Sequence, residues 1–297
     1  MSNLVQRTIF GAIYVAVVVA AILVHPFAFA GVFIIVSTLA VREWHILLQD
    51  DRHIRWIGML LNILLFVASS LLCASFSNMF STRAWNMDTV VAILFILAAL
   101  YVAVVIGALL SELVLSSHAK PAKHWGDLLS GQVMVAIPFA CMLALLSMNR
   151  YMLLAVFVLL WMNDTAAYCV GSLTAKLPKG NHKMAPYISP KKSWEGLIGG
   201  ALFTIGTAIL LAHLGWMDEL YGSCFPAELY LIAAGFGVVA VIGGTLGDLM
   251  ESLLKRSLGV KDSGRFLPGH GGVLDRFDSI LLAVPMLIIY CFITALL

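Results

Sequence analysis

Nine apolar runs limit what this chain can fold into. They cover about residues 8–24, 27–47, 56–76, 89–110, 128–148, 151–173, 196–215, 229–254 and 279–297. Each is close to the roughly 20 residues that carry an α-helix across a bilayer. In lipid only helices and closed barrels satisfy their own backbone, and long unbroken runs select helices. The expected fold class is an all-α polytopic membrane protein with about nine transmembrane helices. Charge agrees: charged residues are 11% of the 297, against about 25% in soluble domains. The second run is the least regular, because Arg42 and Glu43 interrupt it. The first imitates a secretion signal, with Arg7 before it and Ala28-Phe29-Ala30 after it. The apolar stretch continues directly through Gly31–Val41, so a retained span is expected.

Charge placement orients the spans. With the N-terminus in the cytoplasm, 16 of the 18 Lys and Arg fall on inner segments, and only Arg83 and Arg150 do not. That bias is what the positive-inside rule requires of a correct odd-numbered topology. The two longest charged loops, 174–195 and 255–278, then both face the cytoplasm. No repeat or soluble domain interrupts the chain, so residues 1–297 read as one membrane domain. Residues 1–150 carry no motif, and residues 151–297 carry the polar constellations. The five cysteines show no CxxC or Cys/His spacing, which supports neither a zinc site nor a disulfide framework.

The most polar stretch is Ser252 to Asp278, SLLKRSLGVKDSGRFLPGHGGVLDRFD. Lys255, Arg256, Lys261, Arg265 and Arg276 share it with Asp262, Asp275, Asp278, His270 and the glycines 264, 269, 271 and 272. Cations and bare backbone N–H groups suit phosphate, and carboxylates suit a hard metal. The other reading is a solvated loop whose cations only obey the charge rule.

Three further constellations carry chemistry. In Asn163–Gly171, helical spacing puts Asp164, Tyr168 and Gly171 on one face. An intramembrane carboxylate is a functional candidate by default, with a helix–helix hydrogen bond from Asn163 or Asp164 as the alternative. In Ser189-Pro190-Lys191-Lys192-Ser193-Trp194-Glu195, either serine is placed to cap the next helix. Paired lysines beside a helix start suit a polyphosphate, or else anionic lipid heads. At the end of the eighth run, Asp248, Glu251, Ser252 and Lys255 share a face, while Gly243, Gly244 and Gly247 allow close approach of another helix or a ligand. The topology gathers all of these at the cytoplasmic interface. Oxygen ligands from Asp164, Asp248 and Asp275 favour magnesium over a transition metal.

The pattern S-x-L-K-R-x4-K-D-x-G-x2-L-P-x-H-G-G-V-x-D-R-F-D resembles the signature of the phosphatidate cytidylyltransferase, or CDP-diacylglycerol synthase, family. Every fixed position is matched. NDTAAY at 163–168 and SPKKSWEG at 189–196 are similar to other recurrent stretches of that family. The chain departs from it at Ser172, where members often carry arginine, and in the loop Thr174–Met184. The resemblance covers roughly residues 150–280. It implies transfer of CMP from CTP to phosphatidate, giving CDP-diacylglycerol and pyrophosphate. It implies magnesium on Asp248 and Asp275, to which the residue pattern adds Asp164, with a second cation left open. Lys255 and Arg256 then join the two aspartates as catalytic candidates. The substrate-contact set is Asn163, Asp164, Tyr168, Ser189, Lys191, Lys192, Ser193, Glu195, Lys261, Asp262, His270, Gly271, Gly272, Arg276 and Asp278. The expected partners are CTP, phosphatidate and membrane lipids, with a homodimer left open and no nucleic acid. The expected location is a bacterial cytoplasmic (inner) membrane, with the active site facing the cytoplasm. Two alternatives stay open. One is a CTP-dependent enzyme acting on another lipid phosphate or a lipid alcohol. The other is an ion-coupled transporter using Asp164 and Asp248, although no inverted repeat supports it.

Overall fold

The apolar runs become helices. The computed structural model describes residues 3–76, 87–115, 121–178, 180–264 and 271–296. In chain order they form α1 (Asn3–Val24), α2 (Pro26–Leu47), α3 (Arg52–Phe76), α4 (Met87–Leu115), α5 (Pro121–Gly131), a π-helical turn (Gln132–Ala136), α6 (Ile137–Met148) and α7 (Arg150–Thr174). A hairpin follows, β1 (Lys183–Ala185) and β2 (Ser189–Ser193), then α8 (Trp194–His213), α9 (Asp218–Tyr221), α10 (Pro226–Ser257), α11 (Leu274–Phe277) and α12 (Ile280–Leu296). Among the described residues, eight helical segments are long and apolar enough to cross a membrane, and Ile9–Val24 is a shorter apolar helix. The protein is an integral membrane protein, and among the described residues its regular structure is helical but for the one hairpin.

Most segments fall within a few residues of the expected runs. The fifth begins at Pro121 instead of 128, because Lys123, His124 and Asp127 raise the polarity of its first turns. Those groups are used: Lys123 Nζ donates to Asp50 (3.0 Å), Asp127 (2.7 Å) and the Leu48 carbonyl (2.9 Å). The chain falls into two compact units, Met1–Ser147 with Asp262–Phe277, and Met148–Lys261 with Asp278–Leu297.

In the first unit α2 packs on α1 and α3, and α3 on α4. Phe277 of α11 sits among aromatics, with its ring centroid 5.9 Å from Phe33, 5.3 Å from Phe139 and 5.5 Å from Tyr14. Buried polar groups pair across helices, as membrane packing demands: Asn62 Nδ2 donates to Ser37 (3.1 Å) and Thr38 (3.0 Å). The turn from α2 to α3 is held by Asp50, 2.7 Å from His45 Nδ1. Burial opposes ionisation of Asp50, yet hydrogen bonds with His45, Asp127 and Lys123 outweigh it and hold the carboxyl down at about 2.

In the second unit α8 packs against α7 and α10, and α10 against α12. Close helix approach needs the absent side chains of glycine. A Cβ at Gly200 of α8 would stand 2.7 Å from Asn163 Oδ1 of α7, and one at Gly243 of α10 would stand 2.5 Å from the Ala283 backbone of α12. The expectation that the eighth-run glycines admit another helix is met at Gly243.

Candidate active site

The second unit encloses a cavity of about 280 Å³. Helix α7 supplies Asn163, Asp164, Ala167 and Tyr168 to its wall. Strand β2 supplies Lys191, Lys192 and Ser193, α8 supplies Gly196 and Leu197, and α10 supplies Thr245 and Asp248. Three constellations that are far apart in sequence thus meet in one place.

Local capping explains how the hairpin delivers its lysines. Ser193 ends β2 and caps α8, its Oγ accepting the Gly196 N–H at 3.2 Å. Asn181 Nδ2 donates to the Gly171 carbonyl at 2.6 Å and to Ser193 Oγ at 3.3 Å, fastening the loop to the end of α7. Glu195 in the first turn of α8 reaches back to His182, accepting its backbone N–H at 3.1 Å and lying 2.6 Å from its Nδ1. Asn181 and His182 had no assigned part in the sequence reading. Their signal was a polar pair in a loop that departs from the family pattern.

Charge is concentrated here. Lys192 Nζ lies 2.7 Å from Asp248 Oδ2, and Ser252 donates to Asp248 Oδ1 at 3.1 Å. Glu251, one turn further along α10, is fully buried and pairs with Lys255 at 2.5 Å. Asp278 lies in the field of Asp248, Glu251 and Asp164. Four carboxyl groups therefore share one region with Lys192 and Lys255. Sequence spacing had put Glu251 on the Asp248 face without giving it a role.

Other expected residues sit elsewhere in this unit. Ser189 is half-buried in β2, and Tyr168 is exposed at the cavity mouth. Lys255 is buried against Glu251. Arg256 is exposed, its Nε donating to the Ile188 carbonyl (3.4 Å) and an Nη to the Val260 carbonyl (3.1 Å). Lys261 is exposed.

The remaining expected residues belong to the first unit. Asp275 accepts the Ser263 N–H (2.9 Å) and the Gly272 N–H (2.7 Å). Gly271 takes a left-handed backbone conformation at φ 85°. Asp262 and Arg276 are exposed, and the Arg276 carbonyl accepts the Tyr14 hydroxyl at 3.3 Å. Glu43, noted only as an interruption of the second run, accepts the Leu274 N–H at 2.9 Å. His270 lies outside the described residues.

Comparison with known proteins adds a family to this geometry. Proteins named phosphatidate cytidylyltransferase are similar over part of the chain. That of Haemophilus influenzae is 37% identical over 189 residues, 59% of this chain and 62% of its own. That of Staphylococcus haemolyticus is 39% identical over 179 residues, 60% of this chain and 64% of its own. That of Staphylococcus aureus is 41% identical over 141 residues, 48% of this chain and 49% of its own. The chain thus spans less than two thirds of the length of each of these relatives. The family match is longer: residues 5–294 fit the cytidylyltransferase family, and the chain belongs to it.

Proposed function

We propose that this protein transfers CMP from CTP to phosphatidate, giving CDP-diacylglycerol and pyrophosphate at the cytoplasmic face of a bacterial inner membrane. The observation that carries this reading is the cavity where Asp164 and Asp248 face Lys191 and Lys192 beside the capped start of α8. The names of the similar proteins support the same substrates.

The reaction forms one P–O bond and breaks another. A phosphate oxygen of phosphatidate bonds to the α-phosphorus of CTP as the bond to the β-phosphate oxygen breaks, and pyrophosphate leaves with that electron pair. Both reactants are anions, so alignment and charge neutralisation are the main tasks. A phosphate monoester is already nucleophilic near neutral pH, so no strong base is required. Lys191 and Lys192 are placed to neutralise the nucleotide phosphates, and the N-terminus of α8 adds partial positive charge. Asn163 and Tyr168 contribute polar contacts on the α7 wall.

The donor chemistry suits a hard cation such as magnesium: Asp164, Asp248 and Asp278 offer oxygens in one unit, although among the described residues no three acidic, His or Cys groups already stand together as a metal cage. When bound, the ion would supply Lewis-acid catalysis and offset the charge of the phosphates. Diacyl tails remain among lipid while the head enters the interfacial site.

The test is purified protein with labelled CTP and phosphatidate, with and without magnesium. Magnesium-dependent formation of labelled CDP-diacylglycerol is expected. Label appearing only with another lipid phosphate or a lipid alcohol as acceptor would overturn the assignment.

A further inference from the structure

A carboxylate buried near the C-terminal end of an apolar helix needs a reason, because a buried charge is costly unless it is hydrogen-bonded. Glu43 of α2 is 5% exposed. Its Oε2 accepts the backbone N–H of Leu274 at 2.9 Å and the hydroxyl of Ser263 at 3.3 Å. Both donors belong to the glycine-rich segment that follows α10, some 220 and 231 positions away in the chain. Two glycines of that segment, Gly264 and Gly272, pack on the same carboxylate. A Cβ at Gly264 would stand 2.5 Å from Glu43 Oε1, and one at Gly272 would overlap both Glu43 Oε2 and Ser263 Oγ.

Asp275 grips the segment from within. It takes the N–H groups of Ser263 and Gly272. Ser263 therefore serves two carboxylates, its N–H going to Asp275 and its hydroxyl to Glu43. Glu43 also satisfies the N–H of Leu274, a first-turn donor that α11 itself cannot use.

We propose that Glu43 is a positioning residue: it anchors Ser263–Gly264 and Gly272–Leu274 to α2 and thereby fixes where Asp275 stands. It acts through backbone and hydroxyl donors and not on substrate. The anchor stands on geometry alone, and its effect on turnover rests on the function proposed above.

Two readouts test it, one of them independent of turnover. In hydrogen exchange on the full-length protein in detergent, peptides covering 271–277 of Glu43→Ala are expected to exchange about tenfold to a hundredfold faster than wild type. Glu43→Gln keeps an acceptor oxygen and is expected to stay within about threefold. In the lipid assay, Glu43→Ala is expected to lower kcat about 10- to 100-fold with KM for CTP nearly unchanged, because misalignment is felt at the transition state. Glu43→Gln is expected to recover most of that loss. Should Glu43→Ala fail to fold, Gly264→Ala pushes on the carboxylate with Glu43 in place, and faster exchange of the same peptides is expected. Unchanged exchange in these variants overturns the anchor. Faster exchange with unchanged kcat, or a Gln variant as impaired as Ala, overturns the positioning role. Wild-type protein that makes no CDP-diacylglycerol overturns the proposed function, while the exchange rates still report on the anchor.

Discussion

Lys192 Nζ stands 2.7 Å from Asp248 Oδ2, so the hairpin and helix α10 meet in an ion pair on the wall of the cavity. Each side chain keeps about a quarter of its surface exposed, at 24% and 28%. Such a pair adds little to stability. Its consequence is placement: a cation suited to phosphate and an anion suited to metal are held within reach of each other.

Asp248→Asn removes the anion with little change in volume. Turnover is expected to fall at least about 100-fold, while the folded fraction stays near wild type. Asp275→Asn is expected to lose turnover and also stability, since its carboxylate holds Ser263 and Gly272. Steady-state kinetics with a magnesium titration, beside thermal unfolding in detergent, separates the two. Near-wild-type, magnesium-dependent activity in either variant overturns the proposed metal role of that residue.

The lysines divide differently. Lys192→Gln is expected to cost about 2–4 kcal/mol in the transition state, roughly 30- to 1,000-fold in rate, with folding intact. Lys255→Gln removes the cation paired with the fully buried Glu251. That variant is expected to lose about 3–5 kcal/mol of stability as well. A new lysine two positions from 192 should restore the loop charge without restoring CTP turnover. Full recovery of activity by the relocated charge would assign Lys192 to topology alone.

Acid should loosen the α2–α3 turn. The Asp50 carboxyl is held at about 2, below its ordinary 3.8. A depressed carboxylate stabilises the fold above its unfolded value and loses that contribution as pH falls through its folded value. Thermal midpoints in detergent are therefore expected to drop between about pH 4 and pH 2. Asp50→Asn should lower the midpoint at neutral pH and flatten that drop. An equally steep drop in the variant would assign the acid response to other groups.

Orientation is open to labelling. Tyr187 at the hairpin turn is 95% exposed. In a cysteine-free background, Tyr187→Cys is expected to react with an impermeant maleimide in inverted vesicles and not in intact cells. Reaction from outside would overturn a cytoplasmic hairpin and the charge argument behind it.

Much of this was legible because apolar length and charge placement are read one residue at a time. The spans, the Ser193 cap and the candidate status of Asp164, Lys192 and Asp248 all came from local pattern. What spacing cannot show is which partner a charge finds on another element. The i, i+4 spacing already put Lys255 beside Glu251, but nothing in the sequence paired Lys192 with Asp248. Glu43 looked like a flaw in a span because its donors lie more than 200 residues away. The early start of the fifth segment was hidden because the polar groups of its first turns are satisfied by the α2–α3 turn, which hydropathy does not register.

The fastening of the hairpin has one more consequence. Its base is tied to α7 through Asn181, its outgoing strand to α10 through Lys192, and its turn to the end of α10 through Arg256. Ordering a loop of this kind on ligand arrival would draw on binding energy, roughly 0.5–1.5 kcal/mol for each long side chain immobilised. Here that entropy is surrendered when the chain folds. Lys192 is therefore held in place before any ligand arrives, and under the proposed function nucleotide capture is expected to proceed at a rate set by diffusion and electrostatic steering, with no slow conformational phase ahead of it.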